Sequence, residues 1–277
     1  RRLQAASLSA VMKGVEHIRV DRLEGQKSVA RVTLARPQAG NAMSDLSLRE
    51  LSGAFHVLSA DRELRAVLVV GEGKHFCAGA DIEWMRRAGQ LPPEEGKRDA
   101  RLLLDMLSAV RDCPVPVVVA AHGAVYGGGL GLVAACDVAI AADDAKFCFS
   151  ECRLGILPAV VTSFVLPKIG PSHTRRLYLT AEVFGARTAR AVGLIHEAVP
   201  ESGLDAKVSE LAGNVLRNGP RAVAAAKSYI RKMTGLSTER RIKLSVETLV
   251  KSRSGEEGKE GLRAFLEKRP PSWLSKP

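Results

Sequence analysis

The segment Val115–Ala121 is apolar at every position, and it leads through a glycine turn at Tyr126–Gly129 into a second apolar stretch, Leu130–Cys136. A strand with one wet face alternates polar and apolar residues, so a strand that does not alternate must be covered on both faces. That requirement selects an α/β architecture in which helices pack on either side of a sheet. Arg65–Val70 reads as another buried strand, while Val15–Arg22 and Ser28–Ala35 alternate and read as a hairpin with a glycine-bearing turn. Ser44 or Asp45 caps a helix to about Ala60, with Leu46, Leu51, Phe55 and Leu58 recurring near the helical period.

A short helix is expected around Asp81–Arg87, and Arg98–Arg111 reads as an amphipathic helix. Between them the polar Pro-Pro stretch Leu91–Lys97 reads as a mobile loop. Asp137–Ala141 and Ala145–Phe149 read as short strands, and the pattern beyond Thr162 is mostly helical. The chain thus divides into an α/β core over residues 15–200 and a helical region over 201–277. Residues 1–14 carry three basic groups and no acid, with Met12 available as a native start. They read as a tail, either an artificial remnant or the end of an organellar transit sequence.

Composition removes several function classes. The longest apolar stretch, Pro114–Ala141, is interrupted by His122, five glycines and Asp137, short of the roughly 18 apolar residues a membrane helix needs. Five cysteines without a CxxC pair read as reduced thiols of an intracellular protein, and six scattered histidines offer no metal-ligand spacing. The chain carries 41 Lys and Arg against 30 Asp and Glu, a formal charge of +11, and residues 201–277 hold 16 of those bases against nine acids. Such a surface suits a polyanion or a phosphorylated ligand. With aromatic residues at only 4%, a solvated helix face is favoured over a nucleic-acid groove.

Two glycine-bearing loops follow apolar strands: Lys74–Ile82 (KHFCAGADI) and His122–Leu130 (HGAVYGGGL). Glycine lets a ligand approach the backbone, and a helix start leaves N–H groups unpaired. Side by side, two such loops can aim two N–H donors at one oxygen. Alone, the glycines equally serve tight strand-to-helix turns. Neither a Rossmann fingerprint nor a G-x-S-x-G elbow is present.

Phe76–Ile82 (FCAGADI), the glycine segment Gly123–Leu132, Cys136-Asp137, Ser150-Glu151 and Arg153–Pro158 (RLGILP), taken in this order, resemble the enoyl-CoA hydratase/isomerase (crotonase) family. Arg36-Pro37 with Asn41–Met43, and Phe265–Pro270, extend the resemblance over about residues 15–270. It implies a crotonase-like spiral of ββα units, with C-terminal helices that assemble trimers or dimers of trimers. It also implies an acyl-CoA thioester as substrate, with coenzyme A entering only as part of it and no metal or redox cofactor. By this resemblance the N–H groups of Ala80 and Gly128 form an oxyanion hole, each worth about 3 kcal/mol in the transition state. Coenzyme A contacts fall on Ala42, Ala78, Ala80, Asp81, Ile82 and Gly128, largely through the backbone. The location implied is cytoplasmic in a bacterium and the mitochondrial matrix in a eukaryote.

Hydratases of this family commonly use two glutamates, one two residues after the glycine triplet and one before the LGxxP segment. The second stands here as Glu151; the first position is Gly131. One carboxylate serves water addition if it passes the water proton to the α-carbon, and it equally serves a proton shuttle between carbons. Out of context, Glu151 reads as a surface or capping carboxylate; within the matched segment it reads as the acid/base. Asp137 at a strand start reads as structural, as do His75 and His122 beside the loops, and Tyr126 reads as a packing residue.

The stretch Phe147–Val161 is similar to that of bacterial 3-methylglutaconyl-CoA hydratases and the related isohexenylglutaconyl-CoA hydratases, and Ala159–Phe164 replaces the GAGGTQ of short-chain hydratases. A branched, carboxylated enoyl-CoA is therefore the expected substrate, with Arg153 the candidate cation for its terminal carboxylate or else a fold-stabilising pair. A Δ3,Δ2-enoyl-CoA isomerase using the single glutamate is the alternative. From another class stands a basic RNA-binding module, whose binding would be sensitive to salt.

Overall fold

The computed structural model of the chain describes residues 14–274, so the tail expected over 1–14 lies, apart from Gly14, outside the described residues. Ile18–Leu23 (β1) and Gln26–Leu34 (β2) form the expected antiparallel hairpin. Ala66–Gly71 (β3), Val117–Ala121 (β4), Val138–Ala142 (β6) and Glu197–Val199 (β9) then add in parallel, in the order β1-β2-β3-β4-β6-β9. Every residue of β4 is buried, as expected of a strand covered on both faces.

A second ladder runs beside the first. Ala124–Tyr126 (β5), Lys146–Cys148 (β7) and Phe184–Gly185 (β8) make a three-stranded sheet, extended by bridges Cys77 to Val125 and Met43 to Ala80. Each turn of chain contributes a strand to the large sheet, a segment to this ladder and a helix, which is the spiral of ββα units that the resemblance implies. Strands β5 and β9, of three residues, and β8, of two, are too short to carry a period and are not legible in the sequence.

Helix Asp45–Ala60 (α1) starts on Ser44, whose hydroxyl accepts from Ser47 N–H while the Ser47 hydroxyl accepts from Ser44 N–H. Its buried stripe is Leu48, Leu51, Phe55 and Leu58. Leu46 lies off that phase and is exposed, a correction to the expected face. After Ile82–Ala88 (α2), the helix Pro93–Asp112 (α3) begins five residues before the expected Arg98. The stretch read as a mobile loop is its first turn: proline fits the first helical position, and Glu94 and Glu95 complement the helix dipole there.

Gly128–Ala135 (α4) is almost wholly buried, and Ala159–Thr180 (α5) is broken at Gly170, where φ is +72°. Ala186–Ala191 (α6) precedes the C-terminal helices Leu204–Arg217 (α7), Pro220–Met233 (α8), Thr238–Ser254 (α9) and Glu256–Leu266 (α10). Asp137 has the structural role expected: its carboxylate accepts from Val117 N–H at 2.8 Å and pairs with Lys227 of α8 at 2.6 Å. Ile242, Val246, Leu249 and Val250 of α9 are exposed, as are Phe265 and Leu266 of α10. Cys77, Cys113, Cys136 and Cys148 are buried free thiols and Cys152 is half-buried. Among the described residues no helix is long and apolar enough to cross a membrane.

Candidate active site

The two glycine loops meet. Phe76 N–H donates to His122 O, Cys77 N–H to Ala124 O and Tyr126 N–H to Cys77 O, at 2.9, 3.0 and 2.9 Å. The first loop is pinned from beneath by Asn41. Its side-chain oxygen accepts from Arg36 N–H, and its amide donates to the carbonyls of Glu72 and His75, both at 2.8 Å. His75 Nδ1 accepts from Ala124 N–H, and His122 Nε2 bonds Gly73 O at 2.8 Å, so both histidines are satisfied within the scaffold.

Met43 N–H donates to Gly79 O and Asp81 N–H donates to Met43 O, each at 2.8 Å. In a parallel bridge of this pattern the bonds fall on the residues flanking Ala80, so Ala80's own N–H points away from Met43. It has no hydrogen-bond partner among the described residues. Asp81 holds this geometry. Its carboxylate caps α2 by accepting from Glu83 and Trp84 N–H at 3.0 and 3.1 Å and pairs with Arg36 at 2.6 Å. The Arg36 hydrogen bond, chiefly, draws its pKa below the usual carboxylate value.

In the second loop Gly127 takes φ +48°, ψ −115°, and a Cβ there would stand 3.1 Å from Glu151 Oε1. Gly128 follows as the first residue of α4, where N–H groups have no partner inside the helix. Leu130 and Gly131 N–H turn back to Gly127 O, but Gly128 N–H finds no acceptor among the described residues. A Cβ on Gly128 would lie 2.8 Å from Met43 Sδ, so Met43 touches both the Ala80 bridge and the start of α4. Met43 thereby touches both residues that carry the unpaired N–H groups.

Glu151 opens a 3-10 turn, Glu151–Leu154, closed by Gly155 in the left-handed conformation. Gly127 N–H donates to Cys148 O, tying the glycine turn to β7 just ahead of Glu151. The carboxylate faces Gly127 rather than solvent, and its Oε2 is buried with no hydrogen-bond partner among the described residues. Burial raises its pKa above the ordinary 4.5. Tyr178 of α5, missed by the sequence reading, packs on Phe149 at 4.7 Å and bonds Thr162 Oγ1 at 3.2 Å. Burial, with Glu151's charge adding to it, pushes the Tyr178 phenol up to about 12, so it stays neutral beside the carboxylate.

Gly131 explains the missing glutamate. It is buried, and a Cβ there would stand 2.6 Å from Val161 Cγ1 and 3.2 Å from Leu107 Cδ1. Apolar side chains of α5 and α3 occupy the space a second carboxylate would need.

The remaining expected residues line one rim. Ala42 is half-buried, Ala78 exposed, and Ile82 is 79% exposed at the start of α2. Arg153, the candidate cation, donates to Ala181 O at 2.6 Å and so braces the fold at that point.

The family model described as Enoyl-CoA hydratase/isomerase matches residues 24–276. This chain belongs to that family. The crotonyl-CoA hydratase of Syntrophomonas wolfei is 31% identical over 256 residues, covering 92% of this chain and 97% of the relative. The structure of an enoyl-CoA hydratase from Shewanella pealeana superposes with a TM-score of 0.92 at 31% identity, over 97% of this chain and all of that one. AtuE of Pseudomonas aeruginosa superposes with a TM-score of 0.88 at 36% identity, over 93% and 99% of the two chains. Relatives named hydratases make lyase chemistry on enoyl-CoA the family's activity, and an acyl-CoA thioester fits as the substrate.

Proposed function

We propose that this chain adds water reversibly across the α,β double bond of a branched, carboxylated enoyl-CoA such as 3-methylglutaconyl-CoA. The observation that carries this reading is the buried, unpartnered Glu151 carboxylate against Gly127, one residue from the free Gly128 N–H. With the thioester oxygen between Ala80 and Gly128 N–H, the carbonyl is polarised and the β-carbon becomes electrophilic. Glu151, ionised, takes a proton from water as the oxygen attacks that carbon, and the electron pair moves to the thioester oxygen as an enolate. Glu151 then returns the proton to the α-carbon, leaving the 3-hydroxyacyl thioester and the carboxylate in its starting state. Coenzyme A enters and leaves with the acyl group, through the Ala42, Ala78 and Asp81–Ile82 rim, and the steps need no metal or redox group.

A second reading within the family is favoured by Val161 filling the space beside Gly131. With one acid, the same clamp supports proton transfer between carbons, converting 3-enoyl to 2-enoyl thioesters. Exposed apolar residues on α9 and α10 support assembly into trimers or paired trimers. The test follows absorbance of 2-enoyl and 3-enoyl thioesters with wild type and Glu151→Gln. Removing a general acid/base is expected to lower kcat by about 10²–10⁴-fold. Equal rates would remove Glu151 from the mechanism, and turnover of 3-enoyl thioesters alone would make the chain an isomerase.

A further inference from the structure

The aim of the Glu151 carboxylate depends on the main chain that carries it. Among the described residues no other side chain bonds that carboxylate, and its Oε2 has no partner at all. A side chain without a fixing hydrogen bond reaches where its backbone directs it, so the groups that hold residues 148–158 decide what Glu151 faces.

Two residues of that segment converge on one carbonyl. Cys148 Sγ donates to Ala181 O at 3.2 Å, and the Arg153 guanidinium donates to the same oxygen at 2.6 Å. They stand three residues before and two residues after Glu151. The antiparallel register of β7 and β8, with Phe147 opposite Phe184, accounts for the meeting: continued past the strand ends, it brings residue 181 opposite residue 150. Ala181 ends α5 in the left-handed conformation, φ +45°, which alanine seldom adopts, and it is buried. The turn beyond it is fixed by Glu182, whose N–H donates to Thr180 Oγ1 at 3.3 Å and whose carboxylate pairs with Arg176 at 2.7 Å.

Helix α5 grips the segment at two further points. Tyr178 packs on Phe149, and Thr162 Oγ1 donates to Pro158 O at 2.6 Å. The Ala181 carbonyl holds the part between them, close to Glu151 on both sides. Of its two donors Arg153 is the stronger, a charged guanidinium against a weakly donating thiol. Among the described residues Arg153 forms no ion pair, and Ala181 O is the one acceptor its side chain meets.

We infer that Arg153, acting through the Ala181 carbonyl, is a positioning residue for Glu151, holding the 3-10 turn so that the carboxylate faces Gly127 and the start of α4. The inference rests on the acid/base reading of Glu151. It moves Arg153 from the expected contact with a substrate carboxylate to the support of the catalytic segment.

The test is a double-variant cycle on the full chain, with kcat and KM measured on crotonyl-CoA, 3-methylglutaconyl-CoA or 3-hexenoyl-CoA, whichever wild type turns over fastest. Arg153→Gln is expected to lower kcat by about 10–100-fold, as a displacement of about 1 Å in a reacting group does, with KM kept within about twofold. Arg153→Lys keeps a charged donor for a single acceptor and should recover most of that loss. In a Glu151→Gln background the same Arg153→Gln change should alter kcat by less than about twofold, because residues that act as a unit are not additive. Titration calorimetry with the saturated thioesters butyryl-CoA and glutaryl-CoA should give wild type and Arg153→Gln the same affinities. A kcat indifferent to Arg153, an equal loss in both backgrounds, or weakened binding of both thioesters overturns the inference. So does a selective loss of glutaryl-CoA affinity, which would return Arg153 to a substrate carboxylate. Full activity of Glu151→Gln alone would instead overturn the acid/base reading, and it is seen before Arg153 is changed.

Discussion

Replacing Gly131 with alanine asks whether the absent second carboxylate is a matter of space. Within α4 an alanine gains about 1 kcal/mol of helix propensity over glycine. Against that, its methyl would stand 2.6 Å from Val161 Cγ1, 3.1 Å from Val161 Cβ and 3.2 Å from Leu107 Cδ1. Carbon atoms rest at roughly 3.5–4.0 Å, and an over-packed methyl costs about 1–3 kcal/mol. The single change is therefore expected to destabilise by about 1 kcal/mol net. Val161, itself 2% exposed, loses two buried methyl groups on truncation to alanine, about 1.6 kcal/mol before any cavity cost. In the double variant Cγ1 is gone and the new methyl fills part of the cavity, so the combined loss should fall short of the sum by about 1–2 kcal/mol. Urea unfolding of the four proteins at one fixed concentration, followed by far-UV circular dichroism, measures that coupling. Additivity within about 0.3 kcal/mol would falsify the packing argument.

Glu151→Gln should also raise stability at neutral pH, because burial lifts the folded-state pKa above the ordinary 4.5. The wild-type carboxyl stabilises the fold below that value and loses its contribution as pH rises through the folded pKa, so the variant's advantage should disappear near pH 4 in melts across pH. Asp81→Ala removes a helix cap and the partner of Arg36, so it should cost about 1–3 kcal/mol and lower kcat more than it raises KM. Its sign is opposite: the depressed pKa means the Asp81 contribution is present above 3.8 and lost as pH falls through the folded value, and a variant with unchanged kcat would sink the positioning role.

The legible parts of this chain are those fixed by short-range physics. Val117–Ala121 had to be covered on both faces because nothing in it is polar, and Ser44 and Asp81 stand where helix starts need acceptors. The phase of α1 was misjudged at Leu46 because five residues separate it from Leu51, whereas Leu48 keeps the helical step. The start of α3 was hidden by Pro92-Pro93, a pair that reads as a breaker although its second member fits a first turn. Strand β5 is stabilised by Cys77 on one side and Phe147 on the other, partners distant in sequence. The same holds at the site. Glu151 and the two loops were readable from the motifs, but Val161 against Gly131 and Tyr178 beside Glu151 depend on how α5 packs, with its break at Gly170.

The polar groups of this site divide sharply into the satisfied and the unsatisfied. Asn41 uses its oxygen and its amide for three bonds, Asp81 accepts two backbone N–H groups and an arginine, and His75 and His122 are each engaged by backbone. Ala80 N–H, Gly128 N–H and Glu151 Oε2 lack partners among the described residues, and Oε2 is the one carboxylate oxygen among the buried side-chain atoms so left. An unmet buried polar group costs about 1–3 kcal/mol, and scaffold groups within the same few residues show that the chain is able to satisfy such groups. The unmet groups are two backbone donors and one carboxylate acceptor. A molecule that brings a carbonyl oxygen to the donors and an exchangeable proton to the acceptor meets all three at once, which an enoyl thioester with its attacking water does. Because the donors are backbone amides fixed by the Met43 bridge and by α4, they need no rearrangement as charge builds on that oxygen, and their stabilisation is greatest in the enolate.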